Sequence, residues 1–374
     1  MSRLAAGPGS GTRGALTIRS VDAVLVMVPM RRALGTSAMG ITEAPLVLID
    51  LHTHEGITGR AYLFCYLESA GHATIALIRD VTAALAGTAA TPAAVRRDLA
   101  ARFKLLGTRG LVSAALAGVD VACWDALAIA AGLPLARMLG ATMRPTAAYN
   151  SNGLGLLEPQ AAADEAQELV AEGFRTIKMR LGRPSGHDDL AAVRAVRAAI
   201  PPDVALMADY NQALRRNAAH ERCRQLDDEG LYWIEEPVRH DDYAASAGLA
   251  ALLRTPVQIG ENFTGPRAMS IALQHNASDL VMTDLERIGG VSGWLQAAAL
   301  ADVAATEMSS HLYHEVSAHL LAATPTAHWI EYVDWADPIL EQPLKVVDGC
   351  VMPPDRPDTG LTWNADAVAR FRRG

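Results

Sequence analysis

From Arg144-Pro145 onward the chain alternates short apolar, β-branched stretches with amphipathic helical ones, at intervals of roughly 20 to 30 residues. Parallel strands can be joined only through a crossover, so this alternation predicts repeated βα units. Eight strands are read, at 146–150, 176–180, 205–210, 232–236, 257–261, 280–284, 307–310 and 329–332. Eight such units close on themselves, which makes the fold class α/β with a TIM-type (β/α) barrel over 141–337. The preceding residues, 15–140, have a different texture. Strands are expected at 16–28, 46–51 and 57–66, then helices at 70–86, 92–103 and 111–131, giving a small α+β domain. Residues 338–374 return to loop and short strand, packing back on that first domain.

Residues 1–14 are mainly Gly, Ser, Ala and Arg and read as a disordered leader. The stretch Gly7 to Gly14 faintly resembles a phosphate loop, but it follows no strand and lacks the Gly-Lys-Ser/Thr ending. A formal charge of -8 and the lack of any Lys/Arg run argue against nucleic acid or an anionic membrane as partner, leaving small molecules. No stretch reaches the ~18 uninterrupted apolar residues of a membrane span. Cys65, Cys123, Cys223 and Cys350 are scattered with no CxxC spacing, as expected of free thiols in the reducing cytoplasm.

In a parallel barrel the active site lies where the strands end, so polar residues closing apolar strands are the candidates. Asp209, Glu235 and Glu261 each close one, 26 positions apart, which predicts three carboxylates at one height on adjacent strands. Carboxylates so gathered repel one another unless a cation lies among them, and an oxygen-only site open to substrate suits Mg²⁺. Lys178 and Arg180 alternate with apolar neighbours, so both are expected to point into the barrel, toward substrate carboxylate oxygens and the metal ligands. Asp284 ends the sixth strand and His311 follows the seventh, and an aspartate on one imidazole nitrogen makes the other a competent base. A zinc cluster of His311, His314 and His319 is disfavoured because the HExxH spacing is missing. Glu331 is a candidate hydrogen-bond donor to a substrate oxygen if its neighbours keep it protonated; otherwise it is a solvated acid at a strand end.

The segments Ala-Pro-Leu-Val-Leu-Ile-Asp (44–50), Tyr-Leu-Phe (62–64), Ala-Asp-Tyr-Asn-Gln (208–212), Trp-Ile-Glu-Glu-Pro (233–237), Gly-Glu-Asn (260–262), Ile-Gly-Gly-Val (288–291), Ser-Ser-His-Leu (309–312) and Ala-His-Trp-Ile-Glu (327–331) together resemble the mandelate racemase group of the enolase superfamily. The resemblance implies that residues 15–140 cap the barrel and that 30–41 form a substrate-covering loop. It implies Asp209, Glu235 and Glu261 as magnesium ligands and Asp284 with His311 as the base dyad. Lys178 and Ser151 become contacts to the substrate carboxylate, Glu331 a protonated acid, and Asn211, Tyr62, Leu34 and Thr36 further substrate contacts. Homo-oligomerisation is implied as well.

The chain departs from mandelate racemase at Arg180, where that enzyme has the second lysine of a Lys-x-Lys motif serving the substrate face opposite the histidine. A guanidinium holds its proton at neutral pH, and removing it costs roughly 7 kcal/mol. Losing one base favours elimination, in which His311 takes the α-proton and returns it to a leaving β-hydroxyl, as in the acid-sugar dehydratases of that group. The alternatives are a 2-hydroxy acid racemase, a lactone cycloisomerase and a non-catalytic acid-binding barrel. In the covering loop, Leu34, Ala38 and Ile41 suit an apolar substrate, whereas Arg31, Arg32, Thr36 and Ser37 suit a sugar acid.

Overall fold

Three long antiparallel strands open the described part of the chain, residues 15–373 of the computed structural model: β1 (Ile18–Gly35), β2 (Gly40–Thr53) and β3 (Thr58–Phe64). The leader 1–14, with its glycine-rich stretch, lies outside the described residues. Helices Glu68–Leu85, Pro92–Arg102 and Leu111–Ala131 pack on this sheet, close to the positions read from the sequence. Helix Leu111–Ala131 is long and apolar enough to cross a membrane by composition, yet most of it is buried between the sheet and the barrel helix Gly290–Val303. There the Asp120 carboxylate accepts hydrogen bonds from the Ser292 backbone N–H at 2.9 Å and its hydroxyl at 2.6 Å, joining the two domains.

The barrel strands are β4 (Thr146–Asn150), β5 (Thr176–Arg180), β6 (Ala205–Asp209), β7 (Leu231–Glu235), β8 (Val257–Ile259), β9 (Leu280–Asp284), β10 (Met308–His311) and β11 (Ile330–Tyr332). They run parallel in chain order from β4 to β10, and β11 pairs with β4. The ring closes between β10 and β11 through Met308 N–H to Thr326 O at 2.8 Å, His328 N–H to Met308 O at 3.0 Å and Ser310 N–H to Trp329 O at 2.9 Å. The architecture is thus the expected one, a capping α+β domain on a (β/α) barrel.

Three local departures matter for the site. Residues 30–41 are not a loop but the end of the β1–β2 hairpin: Leu34 pairs with Ile41, Gly35 pairs with Gly40, and only 36–39 turn. The strand pattern is hidden by a register shift between Pro29 and Leu34, where Arg31 and Arg32 stand. Neither arginine reaches the cavity. Arg31 pairs with Glu172 and Asp334, and Arg32 with Glu165, Glu168 and Glu172, so the hairpin is tied to the barrel by charge. Secondly, β8 stops at Ile259, short of Glu261, because Gly260 takes φ +131 and a Cβ there would come within 2.2 Å of Met282 O. Thirdly, the tail contains a helix that was not expected, Ala365–Phe371. Around it, the short strands β12 (Val346–Val347) and β13 (Cys350–Val351) form a hairpin whose second strand extends the barrel sheet at β4. The last strand, β14 (Arg372–Arg373), pairs with β1.

His319 ties the barrel to the end of the capping domain. Its Nδ1 accepts the Ala136 N–H at 3.3 Å, and burial followed by the Arg356 charge brings its pKa down to about 4. The unfolded chain therefore binds the extra proton between about pH 6.5 and 4, so the stability this neutral imidazole provides is present above that window and lost as the pH falls through it. Urea unfolding at pH 7.5 and 4.5 is expected to show a pH-dependent loss smaller by about 2–3 kcal/mol in His319→Gln than in the parent chain; equal losses would refute the linkage.

Candidate active site

Strand register does much of the assembly. Arg180 on β5 lies opposite Asp209 on β6, which lies opposite Glu235 on β7, while Asp284 on β9 lies opposite His311 on β10. Glu261 joins them from the turn after β8, and oxygens of Asp209, Glu235 and Glu261 come within 4.8 Å of one another. All three side chains are buried. Just past Asp209, Glu235 and His311 the chain bends sharply, with Asn211, Gln212, Glu236 and Leu312 all at positive φ.

The electrostatics show which partner the cluster suits. Burial, and then the charges of neighbouring carboxylates, push Asp209 and Glu235 above the usual carboxylate range, with Lys178 opposing. The adjacent Glu236, 1% exposed, is pushed well up by burial and by Glu261, Asp209 and Glu235. Its Oε2 accepts the Asn262 side-chain amide at 2.7 Å, while Oε1 has no partner. A hard divalent cation would relieve this repulsion with the oxygen ligands it prefers, so the donor set fits Mg²⁺.

Lys178 is 1% exposed, and its ammonium lies 2.9 Å from Glu235, 3.0 Å from Glu331 and 3.4 Å from Asp209. Burial would strip its proton, but Glu235 and Glu331 outweigh burial and hold it firmly charged. His311 Nδ1 is 2.7 Å from Asp284 Oδ2, and its Nε2 faces Glu261 at 3.2 Å and Glu331 at 3.7 Å. Burial alone would lower its pKa; Glu261, Glu331 and Asp284 raise it well above the ordinary value. Arg180 donates through Nη1 to Ser151 O and Gly153 O, both at 2.7 Å, and through Nη2 to Ser151 Oγ at 2.9 Å.

A cavity of about 170 Å³ opens over these groups, walled by Leu34, Thr36, Ala38 and Met39 of the hairpin and by Lys178, Arg180, Asp209, Asn211, Glu261, His311 and Glu331 of the barrel. Of the expected substrate contacts, Leu34, Thr36 and Asn211 line this cavity; Ile41 does not.

Three expectations are corrected. Tyr62 does not line the cavity: its hydroxyl donates to Glu315 Oε2 at 2.8 Å, and Tyr66 lines the wall instead. Ser151 is fully buried and held by Arg180, so its hydroxyl does not reach the cavity wall. Glu331 is not protonated. Burial would raise its pKa, but Lys178, His311 and hydrogen bonds from Ser151 and the Leu312 N–H hold it down at about 2. The residues missed are Gln212, Asn262, Arg287 and Trp335, all on the cavity wall. Gln212 and Asn262 lay inside the quoted motifs, and Arg287, bonded to Asn262 and Tyr66, could have been found as the cation three residues beyond Asp284.

Two family models cover most of the chain: residues 18–140 match the mandelate racemase/muconate lactonizing enzyme N-terminal domain, and residues 161–367 match the enolase C-terminal domain-like model. An L-talarate/galactarate dehydratase of Salmonella typhimurium is 32% identical over 330 residues, 87% of this chain and 82% of that protein. Among solved structures, an enolase from alpha pretobacterium bal199 with bound magnesium superposes with a TM-score of 0.93 at 45% identity, covering 96% of this chain and all of that one. A Bradyrhizobium enolase complexed with magnesium and mandelic acid gives 0.92 at 40% identity, covering 97% of this chain and all of that one. With the barrel, the cap and the carboxylate cluster in place, the chain belongs to the mandelate racemase/muconate lactonizing enzyme group of the enolase superfamily.

Proposed function

We propose that the enzyme removes the α-proton of a 2-hydroxycarboxylate with His311 as base and goes on to expel a β-hydroxyl, making it a sugar-acid dehydratase. The observation that carries this reading is the asymmetry of the cavity. His311, fixed by Asp284, is the base on one wall, whereas the position on β5 that faces the same cavity holds Arg180, whose two terminal nitrogens already donate to Ser151 and Gly153. A single base serves one face of the substrate, which suffices for elimination but not for racemisation.

Mg²⁺ held by Asp209, Glu235 and Glu261 supplies positive charge against the oxygens of the developing enediolate. Lys178 adds a fixed cation beside it, and Glu331 keeps that ammonium in place. Glu261 is the strongest of the charges that hold a second proton on His311, and a cation taken up by Glu261 would offset it; Asp284 then accepts the Nδ1 proton, leaving Nε2 to take the α-proton and afterwards hand it to the departing hydroxyl. Asn262, Gln212 and Arg287 offer hydrogen bonds to the far end of a polyhydroxylated acid.

A second reading, an aryl 2-hydroxy acid racemase, is favoured by Leu34, Ala38, Met39, Leu312 and Trp335 on the wall and by the solved relative that holds mandelic acid. Self-association and a cytoplasmic location belong to the same proposal, supported by exposed Leu105 and Leu106 and by four unpaired cysteines.

Incubation in D₂O with Mg²⁺ and a panel of sugar acids and aryl 2-hydroxy acids decides between the readings. A 2-keto acid from a sugar acid is expected; racemised aryl acid without keto acid would overturn the dehydratase. His311→Asn is expected to lower α-deuterium incorporation at least 10³-fold while Mg²⁺ affinity stays within a few-fold. Undiminished exchange would remove His311 from the role of base. Glu261→Gln is expected to weaken Mg²⁺ binding more than tenfold by calorimetry, and unchanged affinity would exclude Glu261 as a ligand.

A further inference from the structure

Beyond β10 lies a second group of metal-ligating side chains that the proposed reaction leaves unused. His314 and Glu315 begin the helix His314–Ala322, and Asp337 begins the short 3₁₀ turn Asp337–Ile339 after β11. One donor atom from each comes within 4.8 Å of the other two. His314 is fully buried and Glu315 is 1% exposed, while the Asp337 side chain keeps about a quarter of its surface.

Each member is fixed from the side away from the cluster. The Tyr62 hydroxyl donates to Glu315 Oε2 at 2.8 Å, and the Tyr332 hydroxyl donates to Asp337 Oδ2 at 3.2 Å. The Tyr332 ring also packs against the His314 imidazole, with centroids 4.7 Å apart. What remains are His314 Nδ1 and the atoms that face one another. His314 Nε2 stands 3.4 Å from Glu315 Oε1 and 4.0 Å from Asp337 Oδ1, and none of the three makes a hydrogen bond. Leaving several buried polar atoms unsatisfied at one point costs a few kcal/mol, so such a group calls for something to fill it.

We propose that His314, Glu315 and Asp337 form a second divalent-metal site, for a borderline ion of the Zn²⁺ class rather than Mg²⁺. An imidazole nitrogen with two carboxylate oxygens is a ligand set that zinc uses and magnesium does not favour. Donors sharing a tetrahedral ion at about 2.1 Å lie about 3.4 Å apart, close to the spacing already present between His314 and Glu315. Asp337 is the member nearest solvent: it lines a surface groove with Tyr332, Asp334 and Glu172, where Arg31 and Lys345 offset the neighbouring acids. A bound ion ties the helix after β10 to the turn after β11, beneath the point where Tyr62 of the capping sheet meets Glu315.

The test uses Co²⁺ as a spectroscopic stand-in for Zn²⁺, added to the chelator-stripped full chain after saturation with Mg²⁺. One Co²⁺ per chain is expected to bind beyond what Mg²⁺ displaces, with the intense visible absorption of a low-coordinate, nitrogen-containing site and a raised melting temperature. His314→Gln and Asp337→Asn are each expected to weaken that binding at least tenfold and abolish the absorption, with Mg²⁺-dependent α-proton exchange unchanged. Because Asp337 is partly exposed, its variant carries the test if His314→Gln does not fold. Absence of a Co²⁺ ion that resists Mg²⁺, or retention of the absorption in Asp337→Asn, would overturn the proposal.

Discussion

Four largely buried carboxylates, those of Asp209, Glu235, Glu236 and Glu261, share the barrel mouth, with Lys178 as the cation closest to them. Like charges in a medium of low polarity repel strongly, and the surroundings bear the marks of holding them together. The strands deliver Asp209 and Glu235 in register, Gly260 takes a conformation that a side chain would forbid, and Asn262 bridges Glu236 and Glu261. Structural weight elsewhere in the chain keeps a locally unfavourable arrangement in place. The same concentration of negative charge suits the mouth to a cation and, through that cation, to an anionic substrate.

The barrel was readable from the chain because its strands are buried on both faces and bounded by clear breaks. Strands β4, β5 and β9 begin and end where the apolar stretches do. The equal spacing of Asp209, Glu235 and Glu261 correctly signalled convergence, although Glu261 arrives from a turn rather than a strand. What sequence reasoning lost were properties that depend on long-range partners. Glu331 is ionised because Lys178 and His311, 153 and 20 positions away, lie beside it. Tyr62 turns away from the cavity because Glu315 offers its hydroxyl a buried acceptor. The hairpin was hidden because Arg31 and Arg32 break the apolar alternation, and their acidic partners belong to the other domain.

Those ion pairs give the hairpin a dual character. Its base is clamped to the barrel by charge, while its tip, Thr36 to Met39, offers one hydroxyl and several apolar groups to the cavity. Discrimination among acids is thus divided between a cover that admits hydrocarbon and a floor set up for a carboxylate. An exchange of tip residues would alter which acid is accepted without touching the groups that hold the proton.

The two-residue strand β14 has a different significance. β1 is the outer strand of the capping sheet, and such an edge presents backbone groups that another chain can extend. Residues 87–90 cover one end of it through Ile18 and Leu16, and β14 covers Leu25 and Val26 while placing two exposed arginines there. Residues 372 and 373 therefore act as a selvedge, a finished border that keeps the sheet from growing into a neighbouring copy. Loosening that border would disturb nothing at the barrel mouth, and its first symptom would be stickiness rather than loss of chemistry.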